Sequence, residues 1–224
     1  MQPNPDCASL PRHPKLLVCR ALAHLLEPLV GPEVETVVLD IALHVKPERL
    51  REALQDAVAS LEEAGGVILL GYGLCGRATE GVVSRLSTLV LPRVDDCVGA
   101  LLGSRRRHQE FMKQRPGCYF LEPTWVDAEM NIFVQLEQHM ERIPPHRRGQ
   151  IARLTLKHYR SLALLTGGGH GAEAERRCRG YARANGLEFI EVETELGLLE
   201  RIVGGPWSAE EFVVCPPGVP IPLF

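Results

Sequence analysis

Val67-Ile-Leu-Leu-Gly-Tyr-Gly-Leu-Cys-Gly76 is the stretch whose reading decides the fold. Four consecutive apolar residues, Val67 to Leu70, are too few for a helix and suit a strand covered on both faces, the pattern of a parallel sheet. Gly71, Gly73 and Gly76 then remove β-carbons around Cys75. The backbone can turn sharply there, or let another group approach closely. The segment reads as a buried strand running into a glycine loop that presents a thiol. The plainer alternative is that Cys75 is a small buried hydrophobe.

The same arrangement recurs on either side. Thr88 to Pro92 is a second short apolar strand, followed at once by Arg93-Val-Asp-Asp-Cys97. Upstream, Lys15-Leu-Leu-Val-Cys19 reads as the first strand and again ends on a cysteine. Val34 to Leu39 is the second, and Ile41-Ala-Leu-His44 beyond it delivers a histidine. In a parallel sheet all these strand ends share the carboxyl edge, where open α/β proteins bind ligands.

Helices separate the strands. Ala21 to Leu29 is stopped by Gly31-Pro32. Pro47 opens a second helix at N1, where its missing N–H costs nothing. Leu50, Leu54, Val58 and Leu61 make its apolar stripe, and Gly65-Gly66 ends it. The pattern predicts a short helix over Glu80 to Leu86 and another from Val98 towards Lys113. Cys118 to Leu121 is a strand, and residues 126–142 and 147–158 are helical, broken at Pro144-Pro145. Alternation then resumes with strands at 161–165, 187–192 and 211–214 and helices at 172–185 and 196–203. The expected fold class is α/β, three-layer, with a mostly parallel sheet and possibly two similar half-domains. The expected division is a flexible arm at 1–14, one α/β domain over 15–218 and a tail at 219–224. Its halves are roughly 15–115 and 160–218, with the helical pair between.

Composition narrows the function. A chain of 224 residues with net charge −3 has ample length for a core and no electrostatic case for nucleic acid. Arg105-Arg-Arg107 and Arg147-Arg148 read as solvated helix faces. No apolar run approaches the ~20 residues of a membrane span, and the N-terminus lacks a signal-peptide pattern. These features place the protein in the cytoplasm, away from membranes. Seven cysteines without an export signal favour metal binding or thiol chemistry over a disulfide framework.

Cys19, His44, Cys75 and Cys97 together form a soft donor set. Zinc accepts three sulfurs and a nitrogen, and three thiolates could hold an iron–sulfur cluster with one open iron. Each residue has a plainer role: Cys19 as core, His44 bonded to a loop carbonyl, Cys97 as a thiol activated by a helix N-terminus without metal. Asp95 and Asp96 could be helix caps. Arg93 could pair with a carboxylate or an anionic ligand. The loop Thr166-Gly-Gly-Gly-His-Gly171 could cradle a phosphate, but it is neither GxGxxG nor a Walker A.

The phrases Ile68-Leu-Leu-Gly-Tyr-Gly-Leu-Cys-Gly76, Pro92-Arg-Val-Asp-Asp-Cys97 with Leu102-Gly-Ser104, and Pro116-Gly-Cys-Tyr119 are similar to a bacterial and archaeal family, domain of unknown function 1638. So are Leu198-Leu-Glu-Arg-Ile202, Trp207, Phe212-Val-Val and Pro216-Pro-Gly218, and the likeness runs roughly from Leu16 to Gly218. The family's activity is unassigned. The resemblance implies a loose association with corrinoid methyltransferase systems, and so a thiolate–metal site handling methyl or sulfur chemistry. The family pattern reads His-Asp-Cys where Asp95-Asp96-Cys97 stands, and threonine where Cys118 stands.

The expected function is therefore metal-dependent methyl or sulfur transfer on a small-molecule substrate, in association with a corrinoid carried by a partner. Cys75, Cys97 and Asp96 are the expected catalytic groups. Arg93, Tyr72, Gly73 and Asp95 are expected to bind substrate, and Cys19, His44, Cys75 and Cys97 to hold zinc or an iron–sulfur cluster. A non-catalytic metal or cofactor carrier for a partner enzyme, and a metal-free thiol enzyme, are the alternatives.

Overall fold

A computed structural model describes residues 14–129, 131–167 and 172–224. The arm expected at 1–14, but for Pro14, lies outside them, as does most of the glycine loop 166–171.

In chain order the elements are β1 (Lys15–Cys19), α1 (Arg20–Val30), β2 (Thr36–Leu39), a 3₁₀ turn (Ile41–Val45), α2 (Pro47–Leu61), β3 (Val67–Gly71) and β4 (Thr88–Pro92). Next come α3 (Cys97–Leu101), α4 (Arg105–Gln114), β5 (Cys118–Leu121), α5 (Pro123–Asp127), α6 (Ile132–Met140) and α7 (Pro145–Leu156). The chain ends with β6 (Ser161–Thr166), α8 (Ala172–Asn185), β7 (Glu188–Glu193), α9 (Gly197–Gly204) and β8 (Phe212–Cys215). The fold is three-layer α/β with mostly parallel sheets. It divides into two compact units, one running to Arg105 and resumed at Leu196–Phe224, the other Arg106–Glu195. The halves expected at 15–115 and 160–218 differ from this, because α9 and β8 return to the first unit.

The first unit carries a sheet of order β2-β1-β3-β4-β8. The first four strands are parallel and β8 runs antiparallel to β4. All five residues of β3 are buried, as a strand covered on both faces requires. The crossover from β1 to β2 and that from β2 to β3 run in opposite directions along the sheet. Right-handed connections therefore place α1 and α2 on opposite faces. Leu50, Leu54, Ala57, Val58 and Leu61 are the buried stripe of α2, each leucine stabilising the fold by roughly 1.5–3 kcal/mol.

The connection from β3 to β4 holds no helix, contrary to the one expected over Glu80 to Leu86. Side chains of α2 and the segment after it take its backbone groups instead. The Gln55 amide donates to the Val83 carbonyl at 2.8 Å and accepts from the Val83 N–H at 3.0 Å. Glu62 accepts from Ser84 Oγ at 2.9 Å and the Arg85 N–H at 2.7 Å. The chain's end is bound here too. Gly81 N–H donates to the Ile221 carbonyl and Ile221 N–H to that of Val82, both at 2.9 Å, and Ile221 is buried. The tail expected at 219–224 is thus held to the first unit through Ile221. The helix expected to run from Val98 towards Lys113 is broken at Gly103, where φ is +80°.

The second unit has a parallel sheet of order β5-β6-β7. Ala174, Cys178 and Ala182, spaced by four, are the buried face of α8. The helix expected over 126–142 is two helices, α6 being capped by Asn131, whose side-chain oxygen accepts from the Phe133 and Val134 N–H groups.

Candidate functional site

Connections leave β1 and β3 in opposite directions, one to β2 and the other to β4, although the two strands are neighbours. The crevice at the carboxyl ends of such a pair is where open α/β sheets bind ligands. Here Cys19 ends β1, and Tyr72 to Cys75 follow β3. The next strand on each side contributes as well. Asp40 and His44 follow β2, and Asp96 and Cys97 follow β4.

Two loops are stitched together by their backbones. Leu74 N–H donates to the Val94 carbonyl at 2.9 Å and Cys75 N–H to that of Asp95 at 2.8 Å. Gly73 makes this approach possible, since a β-carbon there would stand 2.7 Å from the Val94 oxygen and 2.8 Å from the Asp96 nitrogen. Gly73, expected to bind substrate, thus also lets the two loops meet. Cys75, Gly76 and Arg77 then have φ of +47°, +66° and +71°. Two non-glycine residues in succession around a glycine are held in the left-handed region, a strain that clusters at functional sites.

The thiols of Cys19, Cys75 and Cys97 each raise the pKa of Tyr72, and the Asp96 charge reaches Cys75, Cys97 and His44. Burial pushes Cys19 up to about 11, with the Asp40 charge adding to it. Burial pushes Cys75 up to about 12, and Cys19 and Asp96 raise it further. Cys97 is driven well above its ordinary value by burial, then by Cys75, Asp96 and Cys19. The alternative of Cys97 as a thiol activated by a helix N-terminus meets burial and negative neighbours that outweigh the five-residue α3. Tyr72 is raised by burial and by all three thiols, so its phenol keeps its proton.

His44 is held neutral: burial lowers it from 6.5, against the Ile41 carbonyl and Asp96, which raise it. Its Nδ1 lies 3.2 Å from the Ile41 oxygen. A carbonyl only accepts, so Nδ1 carries the hydrogen and Nε2 the lone pair. Among the described residues Nε2 is buried and has no hydrogen-bond partner, and the same holds for the Tyr72 hydroxyl. The two rings are stacked, with centroids 6.3 Å apart and planes at 14°. Unpartnered buried polar atoms are costly, and this crevice holds two of those found among the described residues.

Other expected groups face elsewhere. Arg93 donates through Nε to the Ala209 carbonyl at 2.8 Å and lies over the Phe224 ring, 5.4 Å from its centroid. It anchors the C-terminal segment. Asp95 makes a two-pronged pair with Arg105 at 2.8 and 3.2 Å. Asp96 caps α3, accepting from Gly99 N–H at 2.9 Å. Sequence reasoning missed Asp40, whose only signal was an acid directly after the apolar run of β2. Among the described residues no three His, Cys, Asp or Glu side chains are disposed, as they stand, to hold a metal ion. Cys19 Sγ, for one, accepts the Ala21 N–H at 3.4 Å. The donor chemistry fits a soft cation, but the side chains as placed do not enclose one.

A family model described as "Protein of unknown function (DUF1638)" matches residues 38–203. The chain belongs to the DUF1638 family. No curated protein and no solved structure matches it. The matched span of this DUF1638 chain includes His44, Tyr72, Cys75, Asp96 and Cys97, while Cys19 lies before it. Asp95 stands where the resemblance expects histidine, and it pairs with Arg105.

Proposed function

We propose that this DUF1638 protein is a cytoplasmic metal–thiolate protein. Cys19, Cys75, Cys97 and His44 hold zinc for methyl or sulfur transfer on a small molecule. The observation that carries this reading is the lone pair of His44 Nε2, buried and without a partner among the described residues, on a ring stacked against Tyr72, whose hydroxyl senses the thiols of buried Cys19 and Cys75 and half-buried Cys97. Thiols that are shielded from water and raise each other's pKa ionise only against a cation. Imidazole with Nδ1–H fixed on a backbone carbonyl is the usual state of a zinc-ligating histidine. Bound zinc would keep a thiol substrate ionised at neutral pH.

Metal analysis of protein purified without oxygen and equilibrated with zinc tests this. About one zinc per chain is expected in the wild type, lost in Cys75→Ser and Cys97→Ser and kept in Cys178→Ser, whose thiol is buried in the second unit. A wild type that takes up no zinc overturns the reading.

A further inference from the structure

We infer that the protein associates with a second copy of itself, the basic helix α7 of one copy docking on the acidic β2 edge of the other. The inference goes beyond the metal–thiolate reading and does not depend on it. Charge is segregated along this chain. Residues 142–172 include six Arg and Lys and no Asp or Glu, whereas residues 21–45 include four acids and no Arg or Lys.

The basic stretch lies open. None of residues 142–155 is buried, and Leu154 of α7 is 57 % exposed. Arg142, Arg147, Arg148, Arg153, Lys157 and Arg160 have no carboxylate partner among the described residues. Elsewhere in the same unit arginines are paired, Arg115 with Glu188, Arg176 with Glu173 and Arg179 with Glu175. So many uncompensated like charges repel one another, and an anionic surface laid over them relieves it.

The β2 edge is the complement. None of residues 27–49 is buried, and Leu29 and Val45 are 42 % and 68 % exposed. Glu27, Glu33 and Asp40 have no Arg or Lys partner among the described residues. β2 ends its sheet, and its Thr-Val-Val-Leu carries neither the charge nor the proline that guards an exposed edge. By contrast β7, at an edge of the other sheet, carries Glu188, Glu191 and Glu193. A helix laid over such an edge is one of the ways proteins close it. The length of residues 27–49 matches the roughly 20–30 residues a side of a standard interface.

α7 suits a protein surface better than other anionic partners. Its basic stretch is mostly arginine, the cation favoured over lysine at protein interfaces. Leu154 adds an apolar anchor, to set against Leu29 and Val45. A nucleic acid would meet a chain of net charge −3 and a helix with no aromatic residue on which to stack a base. A membrane needs more apolar area than α7 exposes.

The test is sedimentation of the full-length protein at high concentration, in low salt and in roughly 0.5 M salt. Arg147→Glu with Arg153→Glu reverses the basic face, and Glu27→Lys with Glu33→Lys the acidic one; all four positions are exposed. Wild type is expected to associate in low salt and to dissociate in high salt. Association of each double variant alone should weaken roughly 100-fold or more. An equimolar mixture of the two should associate again, because one variant then offers two acidic faces and the other two basic ones. Damage to the fold would not be rescued by mixing. Wild type that stays monomeric in low salt overturns the inference, as does association that the reversals leave unchanged. Variants that stay apart on mixing overturn the pairing of these two faces. A monomeric wild type that instead binds duplex DNA or phosphatidylserine vesicles, with binding lost in Arg147→Glu with Arg153→Glu, overturns it in favour of that partner.

Discussion

Gly73→Ala tests whether the two thiol loops are held by backbone contact. The new β-carbon would sit 2.7 Å from the Val94 oxygen, 2.8 Å from the Asp96 nitrogen and 2.9 Å from the Asp96 Cα. All three neighbours are backbone, so no side chain can swing aside. Relief requires the loop after β3 to move off the loop after β4, stretching the Leu74–Val94 and Cys75–Asp95 hydrogen bonds. Overpacking costs about 1–3 kcal/mol, and each weakened backbone bond up to about 1 kcal/mol. The sum is roughly 2–4 kcal/mol, since relaxation relieves part of the first as it incurs the second. Amide hydrogen exchange in β3 and β4 reads this cost within the first unit alone. Protection there should fall roughly 30-fold or more, and zinc uptake should fall with it because Cys75 separates from Cys97. Gly204→Ala, at the end of α9 with nothing within 4 Å, is the control and should be neutral or stabilising by up to about 1 kcal/mol. Protection within threefold of wild type in Gly73→Ala, with zinc uptake intact, would refute the reasoning.

Two further outcomes are expected. Because Cys19, Cys75 and Cys97 are protonated at neutral pH and His44 is already neutral, zinc binding should release about three protons. Affinity then rises with pH, and calorimetry in buffers of different ionisation enthalpy counts them; release of one proton or none would exclude the three-thiolate set. Glu62 is held below 4.5 by the Arg85 N–H and Ser84 Oγ, so its contribution is complete above the unfolded-state value and is lost as pH falls through the folded one. Glu62→Gln should therefore be less stable than wild type at pH 7, with the difference vanishing on acidification in urea melts; a difference that persists at low pH would contradict the assignment.

Local sequence determined the strands and most helices. The runs 15–19, 67–71 and 88–92 are too short and too apolar to be anything but covered strands, and α2 carries its stripe and its Pro47 start within fifteen residues. Strand ends also placed Cys19, Cys75 and Cys97 on one edge, because parallel pairing fixes that edge once the strands are known. Local sequence misled where distant groups capture the backbone. Residues 80–86 have helical spacing, yet Gln55, Glu62 and Ile221 bind their N–H and carbonyl groups first. It also failed for charges, because Arg93 and Asp95 are short of partners in sequence and find them in Ala209 and Arg105 only after folding. The unpartnered His44 Nε2 and Tyr72 hydroxyl belong wholly to the tertiary structure. A hydrogen bond that is not made depends on every neighbour in space, and no stretch of sequence records it.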